Sequence, residues 1–186
     1  FRFPGSAWFE WALLLPLAMP AYVMAYAYTD LLQYAGPVQT ALREAVAAKI
    51  ASMYGRAYDP GNEITITAGA TQAIITAVLA VVHPGDEVIV LEPCYDSYAP
   101  NIELAGGRVV RVALTPGTFR PDFAAIGAAL NSKTRAIIVN SPHNPSATVW
   151  TRAEMERLAA LLDPTETLLI SDEVYEHMVF DGAPHV

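Results

Sequence analysis

Four short runs of this chain combine residue types that add little to a core and could do much for a ligand. Ala68-Gly69-Ala70-Thr71-Gln72 opens an apolar helical stretch with small residues. A backbone so lightly clothed can approach an anion closely, and the free N–H groups of a helix start, with the helix dipole behind them, can hold it; the Thr71 hydroxyl adds a donor. Glu92-Pro93-Cys94-Tyr95-Asp96-Ser97-Tyr98 follows an apolar run and carries two aromatic rings, Tyr95 and Tyr98, suited to stacking on a flat ligand. Asn140-Ser141-Pro142-His143-Asn144-Pro145 is stiffened by two prolines into an extended loop that presents the Asn144 amide. Leu168-Leu169-Ile170-Ser171 runs into Asp172-Glu173, with Tyr175 three residues beyond Asp172 and on the same side of the following turn. A carboxylate at the end of a dry strand is costly to bury unless it meets a cation or several donors.

Each run also has an ordinary reading as a helix cap, aromatic packing or a turn. A turn, however, does not need both asparagines and both prolines together. The first run is neither Gly-x-Gly-x-x-Gly nor a Walker loop, since no Gly-Lys-Ser/Thr follows it.

The surrounding pattern says how these runs are held. Residues 41–55 have apolar positions at helical spacing with Gly55 as a stop. Strands are expected at 63–67, 87–92, 108–114, 135–140 and 167–172. Helices are expected between them at 70–82, 95–105 and 121–130, and from the Thr151 cap to Leu162, with Glu154 placed for a capping box. Strands alternating with helices at this spacing predict an α/β fold with a doubly wound, mostly parallel sheet. In such sheets ligands bind beyond the carboxyl ends of the strands, and each of the four runs stands just after a predicted strand. An anion cradle, an aromatic plate, an amide and a carboxylate on one edge suit pyridoxal 5′-phosphate. The phosphate goes to the helix start and the ring under Tyr95. Asn144 and Tyr175 meet the phenolic oxygen, and Asp172 meets the protonated ring nitrogen, whose charge makes the ring an electron sink.

From about Ala41 to Val186 the chain resembles a fold-type I pyridoxal-phosphate enzyme of the class I/II aminotransferase family. Thr67-to-Ala73 (TAGATQA), LEPCYDSYAP, NSPHNPSATVW and ISDEVYE match its motifs in order and spacing, with wording closest to the methionine/kynurenine branch. The resemblance implies phosphate contacts at Ala70, Thr71 and Gln72, ring stacking at Tyr95, and cofactor contacts at Asn144, Asp172 and Tyr175. It implies transfer of an amino group from an amino acid (methionine, glutamine or an aromatic one) to a 2-oxo acid. It also implies a homodimer for the complete protein, and the single cysteine, Cys94, fits a reducing, cytoplasmic setting. The family's large domain has seven strands, of which five are expected here, so residues 38–186 are expected to be an incomplete cofactor-binding domain. The family's cofactor-bearing lysine sits in Ser-x-x-Lys. The two lysines, Lys49 and Lys133, lie in other settings, so no catalytic residue is assigned and the chain by itself is expected to be inactive. The same cofactor residues would also serve another enzyme of this fold type, such as a C–S lyase.

The bulk composition is consistent with that class. Hydrophobic residues make up 53% and charged residues 16%, and the formal net charge is -8, which disfavours a nucleic-acid partner. One cysteine, Cys94, leaves no disulfide framework and no cysteine-based metal site. The low charge content is local. Residues 11–28 carry no charge over 18 positions, the length of a membrane span. Residues 1–37 therefore read as a separate apolar helical segment, and residues 7–43 resemble part of a ferric-iron ABC transporter permease. A permease fragment joined to a pyridoxal-phosphate fold is the alternative this raises.

Overall fold

The computed structural model describes residues 30–180. The apolar run at 11–28, most of segment 1–37 and most of the permease-like stretch lie outside the described residues. Among the described residues no helix is long and apolar enough to cross a membrane. The chain divides into two units, Phe1–Ile66 and Thr67–Val186.

In the first unit, helix α1 spans Pro37–Tyr54. Proline stands at its start, where its missing N–H costs nothing. Gly55 ends it at φ 68°, donating its N–H to the Ala51 carbonyl, as a left-handed helix stop requires. The helix starts four residues earlier than its apolar spacing suggests. Arg43 is buried on it, with its guanidinium 4.3 Å from the centre of the Tyr34 ring and Nη2 donating to the Tyr34 carbonyl at 2.8 Å.

The second unit holds α2 (Ala70–Val81), β1 (Glu87–Glu92), α3 (Tyr98–Leu104), β2 (Arg108–Ala113), α4 (Phe123–Ala129), β3 (Thr134–Asn140), α5 (Arg152–Leu162) and β4 (Leu168–Asp172). All three strand pairings are parallel, and the order across the sheet is β2-β1-β3-β4. Parallel strands buried on both faces should read as continuous apolar runs, and Val88-Ile89-Val90-Leu91 and Ala136-Ile137-Ile138-Val139 do. Alternate residues serve opposite faces. Val88, Val90, Ala136 and Ile138 pack with Ile74 and Val78 of α2 and Ile102 of α3. Ile89, Leu91, Ile137 and Val139 pack with Ile126 of α4, Leu158 of α5 and Trp150. Helices thus cover both faces, as expected of a doubly wound sheet.

The caps fall where the sequence places them. Asp122 accepts the N–H groups of Ala124 and Ala125, both at 3.0 Å. Thr151 and Glu154 form the capping box at the start of α5. The helix expected from residue 95 begins only at Tyr98, because Pro93 to Ser97 form the loop that leads away from β1.

One element requires correction. Residues 63–67 alternate as a strand should, yet they form none, and the sheet has four strands where five were expected. Glu63 closes a turn, its N–H donating to the Asp59 carbonyl at 2.9 Å while its side chain accepts the Asp59 N–H at 2.7 Å. Residues 64–67 then run on with no ladder partner among the described residues. Alternation marks which face of a strand can be buried, but the strand itself exists only where a neighbour takes up its backbone hydrogen bonds.

Candidate active site

The connection from β1 leads outward to β2, and that from β3 leads the other way to β4. The crevice at the carboxyl ends of β1 and β3 is therefore the topological switch point, where α/β sheets place their ligands. A cavity of about 300 Å³ lies at this edge. Ala68, Gly69, Ala70, Thr71 and Ile74 form one wall; Tyr95, Asn140 and Asn144 a second; Asp172, Val174 and Tyr175 the third. Six of the seven residues expected at the site, Ala70, Thr71, Tyr95, Asn144, Asp172 and Tyr175, thus surround one cavity although they come from four separate stretches of the chain.

Gln72 is placed differently. It is not on the cavity wall, and its side-chain carbonyl accepts the Ala68 N–H at 2.5 Å. The side chain folds back over the turn before α2 and braces it. That turn depends on Gly69, at φ 97° and ψ 167°, a region open in practice only to glycine. The Thr67 hydroxyl donates to the Gly69 carbonyl at 3.0 Å and steadies the same turn. The first turn of α2 lies at the cavity and carries no acidic residue, so the helix itself places no negative charge beside its free N–H groups. Gly69→Ala is expected to lower stability by ~1–3 kcal/mol through backbone strain and to weaken anion binding at the helix start, measurable by urea titration and by inorganic phosphate titration.

Tyr95 and Tyr98 divide the roles that the sequence assigns to both. Tyr95 lines the cavity, and its hydroxyl lies 3.3 Å from the Thr71 hydroxyl. Tyr98 is turned inward, 2% exposed, with its ring edge-on to Tyr95 at 5.8 Å and 80°. Its hydroxyl donates to Asp172 Oδ2 at 2.6 Å, a bond across 74 positions of sequence. Burial, and then this bond to a carboxylate, push the Tyr98 phenol well above its usual range, so it remains a donor.

Asp172 is the last residue of β4 and is buried, at 8% exposure. Oδ1 accepts the Val174 N–H at 3.2 Å, and Oδ2 accepts from Tyr98. Those two donors leave acceptor capacity on the carboxylate. No cationic side chain among the described residues pairs with it.

The loop after β3 is more folded than the extended segment its prolines suggest. Asn144 donates its backbone N–H to Asn140 Oδ1 at 2.6 Å, and Ala147 donates to the His143 carbonyl at 2.7 Å. The Asn140 amide in turn donates to the Asp172 carbonyl at 2.8 Å. Asn140 therefore ties the β3 loop to the end of β4, a role its spacing in the sequence does not reveal. His143 is buried next to it, with Nδ1 2.6 Å from the Ser146 hydroxyl, and burial holds its imidazole below the usual histidine range. Ile74 was missed as a wall residue, although it lies one helical turn beyond Ala70 on the same face. Val174 was missed because nothing in its type or spacing distinguishes it from a surface valine.

The donor set can be tested against the expected cofactor. Pyridoxal 5′-phosphate needs an anion site, a flat apolar plate, donors for a phenolic oxygen, and a carboxylate for a ring N–H. The start of α2, Tyr95, Asn144 with Tyr175, and a buried Asp172 that lacks a cation meet those needs in turn. Lys133 is not among these groups. Lys133 precedes β3 at the opposite end of the sheet, where its carbonyl accepts the Glu87 N–H at 2.8 Å. Lys49 is on α1.

Comparison with known proteins places the chain in a family. The family described as aminotransferase class I and II matches residues 12–186, a span that takes in part of the apolar segment set apart in the sequence. Methionine aminotransferase of Escherichia coli is 50% identical over 145 residues, covering 78% of this chain and 38% of the relative. The crystal structure of that organism's YbdL, titled as identifying a methionine aminotransferase function, superposes with a TM-score of 0.77 over 79% of this chain and 38% of that one. The N-succinyldiaminopimelate aminotransferase of Mycobacterium tuberculosis superposes with a TM-score of 0.76 at 44% identity, over 79% of this chain and 39% of that one. Human kynurenine–oxoglutarate transaminase 1 is 35% identical over 156 residues, covering 78% of this chain and 37% of the relative. The chain thus spans well under half the length of the relatives it matches. With a fold shared at such identity, and a cavity whose donors suit the family's cofactor, the chain belongs to the class I and II aminotransferases, enzymes of this fold that use pyridoxal 5′-phosphate.

Proposed function

We propose that this chain supplies the cofactor-binding part of an aminotransferase that moves an amino group from an amino acid to a 2-oxo acid, with methionine, glutamine or an aromatic amino acid as donor. The observation that carries the reading is Asp172, a buried carboxylate at a strand end, aimed into a cavity and lacking a cationic partner among the described residues. Isolated buried charge is costly, so the site calls for a ligand that brings a positive charge. When bound, pyridoxal 5′-phosphate supplies an electron sink that stabilises negative charge at the carbon bearing the amino group.

The chain's own residues divide the work of holding it. Ala70 and Thr71 offer backbone N–H groups, and Thr71 a hydroxyl, to the phosphate, while Gln72 keeps the turn before them in shape. Tyr95 would cover one face of the ring. The Asn144 amide and the Tyr175 hydroxyl would donate to the phenolic oxygen. Asp172 would hold the proton on the ring nitrogen by charge. The proton transfers at the substrate are assigned to no residue of this chain, since neither Lys49 nor Lys133 stands in the family's Ser-x-x-Lys setting. The donor class draws on the relatives, two of which are named for methionine and for kynurenine with oxoglutarate. A homodimer and a cytoplasmic setting belong to the same reading; the first rests on the family resemblance and the second on the single cysteine.

The test has two parts. The 186-residue chain, titrated with pyridoxal 5′-phosphate, is expected to bind it reversibly, with induced visible circular dichroism, and to show no amino-group transfer. The protein expressed from its complete reading frame is expected to convert methionine and a 2-oxo acid to the exchanged pair. Release of a thiol with ammonia and a 2-oxo acid, and no exchanged pair, would move the assignment to C–S lyase chemistry. Absence of any bound cofactor signal in either protein would end the reading.

A further inference from the structure

Three of the proposed ligand groups, the start of α2, the Tyr95 ring and the Asp172 carboxylate, are joined by one chain of contacts that runs behind the cavity. The Thr71 hydroxyl meets the Tyr95 hydroxyl at 3.3 Å, the Tyr95 ring meets the Tyr98 ring edge-on at 5.8 Å, and the Tyr98 hydroxyl donates to Asp172 at 2.6 Å. Tyr98 is the link of this chain that does not line the cavity.

We propose that Tyr98 is a positioning residue that sets the distance and angle between the aromatic plate and the charged carboxylate. Its hydroxyl fixes which way Asp172 points, and its ring edge fixes where Tyr95 lies. Several features support the assignment. Tyr98 is the first residue of α3 and is 2% exposed, wedged in the core between α2, α3 and the sheet, so its ring has no freedom of its own. Its hydroxyl bond is to an ionised group, the stronger class of hydrogen bond, and it takes one oxygen of Asp172 while the Val174 N–H takes the other. The carboxylate is therefore held from two sides and cannot turn away from the cavity. The high phenol pKa keeps the donor in place throughout the working pH range.

The inference rests on the pyridoxal-phosphate reading above, and the experiment separates the two. In the protein from the complete reading frame, Tyr98→Phe keeps the ring and removes only the hydroxyl. The cofactor dissociation constant, followed by fluorescence quenching, is expected to rise about tenfold, as for loss of one hydrogen bond to a charged group. The visible circular dichroism of the bound cofactor is expected to change, since it reports orientation. The melting temperature of the cofactor-free protein is expected to fall modestly, since a buried hydrogen bond is lost there too, so the assignment is decided by the spectrum and by the cycle below. In turnover, kcat is expected to fall with KM little changed. The decisive comparison is a double-mutant cycle: in an Asp172→Asn background the same Tyr98→Phe change should have little further effect on cofactor affinity, because Tyr98 acts through Asp172. Wild-type affinity and spectrum in Tyr98→Phe would overturn the assignment, as would an equal loss in both backgrounds. If the unmutated protein binds no cofactor, the pyridoxal-phosphate reading itself fails; if it binds normally and Tyr98→Phe matches it, only the role of Tyr98 does.

Discussion

Asp172→Asn in the protein from the complete reading frame is expected to slow amino-group transfer on the order of 10²–10⁴-fold, with KM changed far less. The magnitude follows from the environment. Removing one partner of a buried ion pair costs about 3–5 kcal/mol, and each ~1.4 kcal/mol on a barrier is tenfold in rate. Asparagine keeps the size and planarity of the side chain, so the β4 end and the cavity wall should survive. What changes is charge. The amide can still accept the Val174 N–H, now made to Asp172 Oδ1 at 3.2 Å, but it has no negative charge with which to hold a proton on a ring nitrogen. It also turns an N–H toward one of two donors, the ring or Tyr98, whose hydroxyl now donates to Oδ2 at 2.6 Å. Steady-state kinetics checks the rate, and a pH titration of the bound cofactor's absorbance checks the cause. A variant whose rate and spectrum match the parent would show that the carboxylate serves the strand end alone and has no part in the chemistry.

Trp150→Ala is expected to destabilise the protein by about 3–5 kcal/mol, the usual range for deleting a large buried aromatic side chain. Trp150 is 2% exposed and packs in the core formed by α4, α5 and one sheet face. Its ring lies edge-on to Phe123 at 6.4 Å. Its backbone N–H donates to the Ser141 hydroxyl at 3.1 Å, which pins the exit of the β3 loop to its entrance. The cavity left by the indole would loosen that anchor as well as the core. Asn144 lies within this loop, so cofactor affinity should fall together with stability. Urea unfolding gives the first quantity and cofactor titration the second. A loss below ~1 kcal/mol would mean that neighbouring side chains collapse into the space, which a well-packed core resists.

These two residues show how differently the fold and the site could be read in the sequence. The continuous apolar runs of the buried strands, the Asp122 and Thr151 caps and the Gly55 stop act over a few residues, so their physics is local and the sequence displays it. The parallel sheet followed from the order of elements. Asp172, Tyr95, Asn144 and Tyr175 could be named because each follows a strand, and strand ends in a doubly wound sheet share one edge. The same local logic misled at 63–67, where the alternation is present but no described residue supplies the hydrogen-bonding neighbour. Local chemistry made Tyr95 and Tyr98 equally suited to stacking and did not show what Tyr98 does. Its place is decided by a bond to a residue 74 positions away. The Gln72 side chain braces the turn before α2 because the Ala68 N–H lies within its reach. Asn140 became the tie between two strand ends only once β3 and β4 were adjacent. Sequence by itself determined which residue types stand at the sheet's carboxyl edge, because strand and helix periodicity is a property of the chain. Which of them face the cavity, and which stand behind those that do, depends on distances between segments far apart in sequence, and those are set by packing alone.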